Sequence, residues 1–174
     1  MAYANNIKSR RNRSLMNMEL KKQVLINITM VLLSWLSLFF YGRNNIKKFL
    51  PASLLMVLLE AWNVQRAKKQ KWWVFYNKPK SYISGEFSFN MGPFLVGSLW
   101  ILKWTYGNFK QFLLLNALIH AFFVFLIMRV MDKIKVVKLV RLNEFQFFFY
   151  FFYKAFFLYG FQYIIDKSKK FVSS

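Results

Sequence analysis

Five apolar stretches, 24–41, 46–64, 87–106, 111–130 and 145–165, divide this chain, and the basic residues in the gaps between them are sorted. Of the twenty-six lysines and arginines, seventeen lie before the first stretch, between the second and third, and between the fourth and fifth, counting Arg129 at the very end of the fourth stretch. Seven lie in the alternate gaps and the tail, counting Lys47 and Lys48 at the start of the second stretch, and Lys103 and Lys154 fall deeper inside stretches. Short loops rich in Lys and Arg stay on the cytoplasmic side of a membrane. The alternation therefore predicts an all-α integral membrane protein, a bundle of about five transmembrane helices with its N-terminus cytoplasmic and its C-terminus outside. A net charge of +20 then reports topology, not a nucleic-acid footprint.

Composition agrees. A hydrophobic content of 57% with 21% aromatic residues is more than a soluble domain of 174 residues can hide from water. The chain contains no cysteine, which removes disulfides, thiolate nucleophiles and cysteine-bound metals. Abundant lysine, asparagine and phenylalanine fit the AT-rich coding of a low-GC bacterium.

The organisation follows as a basic cytoplasmic arm over 1–23, a single membrane domain over 24–165 and a short basic tail over 166–174. The run 24–41 is eighteen residues without a charge and ends in Phe39-Phe40-Tyr41-Gly42-Arg43, with no small-residue cleavage site, so it reads as a permanent anchor. Gly42-Arg43-Asn44-Asn45 predicts a tight turn joining the first two spans into a hairpin, with Pro51 tolerated in the first turn or two of the second helix. Gly92-Pro93 punctuates the start of the third span. In the gap 129–143, Lys135, Lys138 and Arg141 recur every third residue and make no amphipathic face, which predicts a basic connector. Thirteen of the twenty-one residues of 145–165 are Phe or Tyr. An isolated strand there would leave its backbone unpaired in lipid, so a helix is expected.

Polar residues within the spans sort by depth. The run 71–80 interleaves lysines with Trp72 and Trp73, as expected for indoles in the headgroup layer and lysines on anionic inner-leaflet lipid. Lys103, beside Trp104 at the opposite end, is placed to snorkel to the outer interface. His120 and Lys154 lie deepest. Ser53, Glu60 and Asn63 share one face of their helix, Asn116 and His120 are four apart on theirs, and Gln146, Tyr150, Tyr153, Lys154 and Gly160 share a sector of the fifth. A lysine buried in hydrocarbon pairs or loses its proton, and Glu60 has two cations within reach, Arg66 at the surface and Lys154 deeper in. A candidate polar cluster of Glu60, Asn116, His120, Tyr150, Tyr153 and Lys154 between spans two, four and five is therefore expected, either as structural glue or as a site for an ion, a proton or a small polar ligand. Gly97-Ser98 reads as a close helix-packing pair.

Catalytic constellations are not recognisable. One histidine precludes a two-histidine metal site within the chain, and neither a zincin nor a nucleophile-elbow pattern occurs. No enzyme activity, cofactor, metal or nucleic-acid partner is expected. In its short basic loops and aromatic-rich spans the chain resembles the small multi-pass membrane proteins of low-GC Gram-positive bacteria, a likeness of style over about 140 residues that carries no motif and implies only a bacterial cell-membrane location. Two roles remain: an interaction or accessory subunit that contacts a membrane-protein partner or a second copy of itself, or a small oligomeric transporter or channel using Glu60, His120 and Lys154.

Overall fold

The computed structural model describes residues 21–76 and 85–172; most of the basic arm, the end of the 71–80 run and the last two residues of the tail lie outside them. The fold is mostly helical. Helix α1, Lys21–Phe40, closes with a 3-10 turn at Leu38–Phe40, and α2 spans Arg43–Gln70. Helix α3 covers 85–105 in three pieces, with a π-helical turn at Asn90–Phe94. Helix α4, Phe109–Lys133, has a second π-turn at Phe123–Ile127, and α5 is Glu144–Val172. Of these, α1 and α4 are long and apolar enough to cross a membrane.

The helix ends are written in local chemistry. Gly42, at φ 90°, breaks α1 from α2, and the connection is shorter than expected because Arg43, Asn44 and Asn45 already belong to α2. Asn45 secures the corner by donating to the carbonyl of Tyr41 at 3.1 Å. Pro51 consequently sits in the third turn of α2, deeper than expected. Asn108 caps α4 by accepting from the Gln111 N–H at 3.1 Å. At the start of α5, Asn143 and Gln146 cap one another reciprocally, at 2.8 and 3.0 Å. Gln146 is therefore an exposed capping residue and not part of an inward polar sector.

Helices α2 and α4 end alike. Each terminates at a lysine in the left-handed conformation, Lys71 and Lys135, both at φ 53°. Two residues later each chain becomes a strand, β1 (Trp73–Phe75) and β2 (Val137–Leu139), which pair antiparallel with Trp73 opposite Leu139 and Phe75 opposite Val137. The two basic gaps are thus joined by a ribbon, and the basic connector expected over 129–143 contains one of its strands. A further tie from the same end comes from α1, where Gln23 donates to the Lys135 carbonyl at 3.5 Å. At the opposite end Tyr41 donates to the Leu99 carbonyl at 2.8 Å, so successive helices run up and down.

Two apolar clusters fill the bundle. One, around Tyr41, Met56, Leu102 and Phe112, lies towards the Gly42 end; the other, around Val124, Phe147 and Phe151, lies beneath the ribbon. Gly92 sets the spacing of α1 and α3, since a Cβ there would stand 3.1 Å from the Cα of Val31. The role expected of Gly97 thus falls to Gly92: Gly97 faces a cavity and has nothing within 4 Å of its would-be Cβ. The π-turn at Asn90–Phe94 has a local cause in Pro93, whose ring and missing N–H do not fit a regular helix interior. On the outside, large apolar side chains are exposed on every helix, among them Leu33, Trp62, Trp104, Leu114 and Phe149.

Arg129 and Glu144 tie α4 to α5 through two hydrogen bonds of 2.7 and 2.6 Å. Those bonds hold the Glu144 carboxyl below the usual carboxylate range. Because its folded value is depressed, the pair stabilises the fold above the unfolded carboxylate pKa, about 4.3, and that contribution disappears as pH falls through the lower folded value. Glu144→Gln is expected to flatten this acid-side dependence in thermal unfolding scans; an unchanged acid-side slope would contradict the assignment.

Candidate functional site

The deepest polar contact joins α2 to α5. Glu60 and Lys154, each only 2% exposed, form an ion pair through Oε2 and Nζ. Tyr150, one turn before Lys154, donates to the other carboxylate oxygen, Oε1, at 3.2 Å, and the ammonium lies 3.4 Å from the Tyr150 ring centroid and 4.5 Å from that of Phe151. One turn further along α2, Asn63 donates to the Tyr153 hydroxyl at 3.2 Å. The i, i+3 and i, i+4 spacings within each helix put these groups on facing sides. Taking two charges out of water is expensive, and the loss is offset here by direct pairing, the tyrosine hydrogen bond and the flanking rings.

The cluster expected from sequence divides in two. Glu60, Tyr150, Tyr153 and Lys154 come together, joined by Asn63. Asn116 and His120 do not bond to them. The Asn116 amide is buried and donates within its own helix to the Phe112 carbonyl at 2.7 Å. His120 packs its ring 5.8 Å from that of Phe151, and its buried Nδ1 has no hydrogen-bond partner among the described residues. Asn116, His120, Ser98 and Lys154 instead line a common cavity of about 130 Å³ between α3, α4 and α5. Arg66, the other cation considered for Glu60, lies 3.9 Å over the ring of Trp62.

A larger cavity of about 370 Å³ lies under the ribbon, and Glu60 is part of its wall. Phe89, Pro93, Phe123 and Phe151 line both cavities. The ion pair therefore lies between the two chambers, with Glu60 in the wall of one and Lys154 in the wall of the other. Sequence reasoning missed three polar residues of the larger chamber, Asn27, Glu86 and Asn90; the four-residue spacing of Glu86 and Asn90 was the available signal.

The flanking aromatic and basic residues also make contacts of their own. Trp72 and Trp73 are half-buried, with their rings 5.5 and 5.8 Å from Tyr150, so they pack on the bundle. Lys78 and Lys80 lie outside the described residues. Lys103 donates to the Tyr41 and Phe40 carbonyls at 2.8 and 3.4 Å and stands over the Tyr41 and Trp100 rings. Its ammonium thus closes the carbonyl end of α1, where a cation is favoured. Trp104 is exposed beside it. Among the described residues no group of three His, Cys, Asp or Glu side chains could hold a metal ion.

No protein-family model, curated protein or solved structure matches the chain. Fold and site define a class by themselves: a helical bundle with an apolar exterior, two helices of membrane-crossing length and composition, and a charge pair buried between two chambers.

Proposed function

We propose that the chain is a five-span integral membrane protein of a bacterial plasma membrane, N-terminus cytoplasmic and C-terminus outside, serving as a non-enzymatic interaction or accessory subunit. Supporting the five-span reading are the apolar residues exposed on all five helices and the helix lengths. At about 1.5 Å per residue, even 85–105 reaches roughly 30 Å, the thickness of the hydrocarbon core. Lys21, Lys68, Lys69, Lys71, Lys133, Lys135 and Lys138 all belong to the ribbon end, which suits the anionic inner leaflet.

The observation that carries the interaction role is the division of the α5 aromatics. Phe147, Tyr150 and Phe151 face the core, while Phe145, Phe149, Phe156, Phe157 and Tyr163 are exposed. A bundle contact needs only the first set, and the second offers rigid aromatic surface to another membrane helix. A photo-crosslinking residue at Phe149 or Phe157, placed in cells, should join the chain to one discrete protein or to a second copy, whereas the same residue at Leu114 should not. Crosslinks to lipid alone at all three positions would contradict this role.

A second reading, a small transporter or channel, is favoured by one feature: the Glu60–Lys154 pair and four shared wall residues stand between two chambers. Five spans are few for a transporter, so this role requires an oligomer. Proteoliposomes should then show a proton or ion flux that Lys154→Met alters; no flux at any pH would remove it.

A further inference from the structure

The 370 Å³ chamber falls within the range of small-molecule sites, which are mostly apolar with a few converging polar groups. Met30, Val64, Ile127, Met131 and Phe147 are typical of its wall. Four side chains break the apolar surface: Asn27 from α1, Glu60 from α2, and Glu86 and Asn90 from α3.

Two of them lack partners. Asn27 and Asn90 are 8% and 6% exposed, and among the described residues neither carboxamide has a hydrogen bond. With no protein partner, both carboxamides keep their donors and acceptors free for whatever occupies the cavity they line. The backbone supplies an independent pointer. π-Turns are rare and concentrate at functional sites. Both π-turns of the described chain border this chamber, one through Asn90 and Pro93, the other through Phe123 and Ile127. The second, Phe-Val-Phe-Leu-Ile, contains neither glycine nor proline, so its own sequence does not demand the irregularity.

We propose that this chamber binds an uncharged single-chain amphiphile, an alkyl chain ending in a hydroxyl group, with the head between Asn27 and Asn90. A hydroxyl donates and accepts at once, and a carboxamide offers both complements. The wall argues against charged heads. Glu60 and Glu86 are each already paired with a lysine, Lys154 in direct contact and Lys68 at 3.6 Å, so neither a carboxylate nor an ammonium head finds an unpaired opposite charge there. A plain hydrocarbon fills the chamber but leaves both amides unsatisfied.

The test uses the full chain in phosphatidylcholine nanodiscs with a decanol analogue bearing a diazirine in its chain, photolysed and mapped by mass spectrometry. Saturable labelling of Met30, Met128 or Phe147 is expected. Unlabelled decanol should compete at least tenfold better than decane, decanoate or decylamine. Asn27→Leu with Asn90→Leu should weaken decanol competition about tenfold and leave decane competition unchanged, and Val137→Trp should block labelling of the chamber. Labelling confined to outward residues such as Leu114 and Phe149, equal competition by decane, or preference for either charged analogue would overturn the proposal. The competition series on the unaltered chain decides the matter even where a variant does not fold.

Discussion

Lys154→Met is expected to destabilise the fold by about 3–5 kcal/mol, a large fraction of the roughly 5–15 kcal/mol stability of an ordinary domain. The substitution keeps side-chain length but strips Glu60 of its cation. At 2% exposure the carboxylate cannot recruit bulk water, and the one hydrogen bond from Tyr150 does not replace a full charge. Helices α2 and α5 would have to part, or water enter between them. The double variant Glu60→Leu/Lys154→Met removes both charges and should recover most of the loss, because replacing a buried pair by apolar residues of similar size is often neutral. Unfolding of the wild type, both single variants and the double variant in nanodiscs closes a mutant cycle. A coupling energy near zero, or a Lys154→Met protein as stable as the wild type, would show that the pair does not hold the two helices.

The second large effect concerns Gly92. Its would-be Cβ meets backbone, the Cα of Val31 at 3.1 Å, and then the Val31 side chain at 3.3 Å, so relief requires α1 itself to move. Gly92→Ala should destabilise by about 1–3 kcal/mol, the usual range for overpacking. Gly92→Leu should lift α1 off α3 and break the bonds that join them, Trp35 Nε1 to the Met91 carbonyl at 2.8 Å and Trp100 Nε1 to Ser37 Oγ at 3.0 Å. Gly97→Ala and Gly160→Ala are the controls. Both positions are helical with nothing within 4 Å, and alanine there should be neutral or stabilise by up to about 1 kcal/mol. Thermal unfolding of the four variants checks the ranking, and Gly97→Ala falling below Gly92→Ala would contradict this packing.

The sorted charges and uncharged runs made the five helices legible in the sequence, and side-chain periodicity brought Glu60, Tyr150 and Lys154 to facing sides. Both signals are local and repeat along the chain. What stayed hidden depended on partners distant in sequence. Trp73–Phe75 and Val137–Leu139 are too short to show strand alternation, and each exists because the other pairs with it. The helices leading to them end in left-handed lysines where glycine is the usual signal, so Lys71 and Lys135 gave no warning. In the sequence Gly92, beside Pro93, reads as punctuation and Gly97, beside Ser98, as a packing residue; only the approach of Val31 assigns the packing role to Gly92. Asn116 and His120 lie on a face that borders a cavity, and helical spacing alone cannot tell a cavity wall from a hydrogen-bonded cluster.

The central claim is that the paired ribbon and the basic residues around it lie on one side of a membrane, with the α3–α4 turn and the C-terminus on the other. The chain has no cysteine, so single cysteines report without background. Cysteines introduced at Tyr76, Lys138, Asn108 and Ser174 would be treated in intact cells with a membrane-impermeant maleimide. Labelling at Asn108 and Ser174, with protection at Tyr76 and Lys138 until the membrane is opened, is the predicted result; labelling at Tyr76 or Lys138, or protection at Ser174, would contradict it.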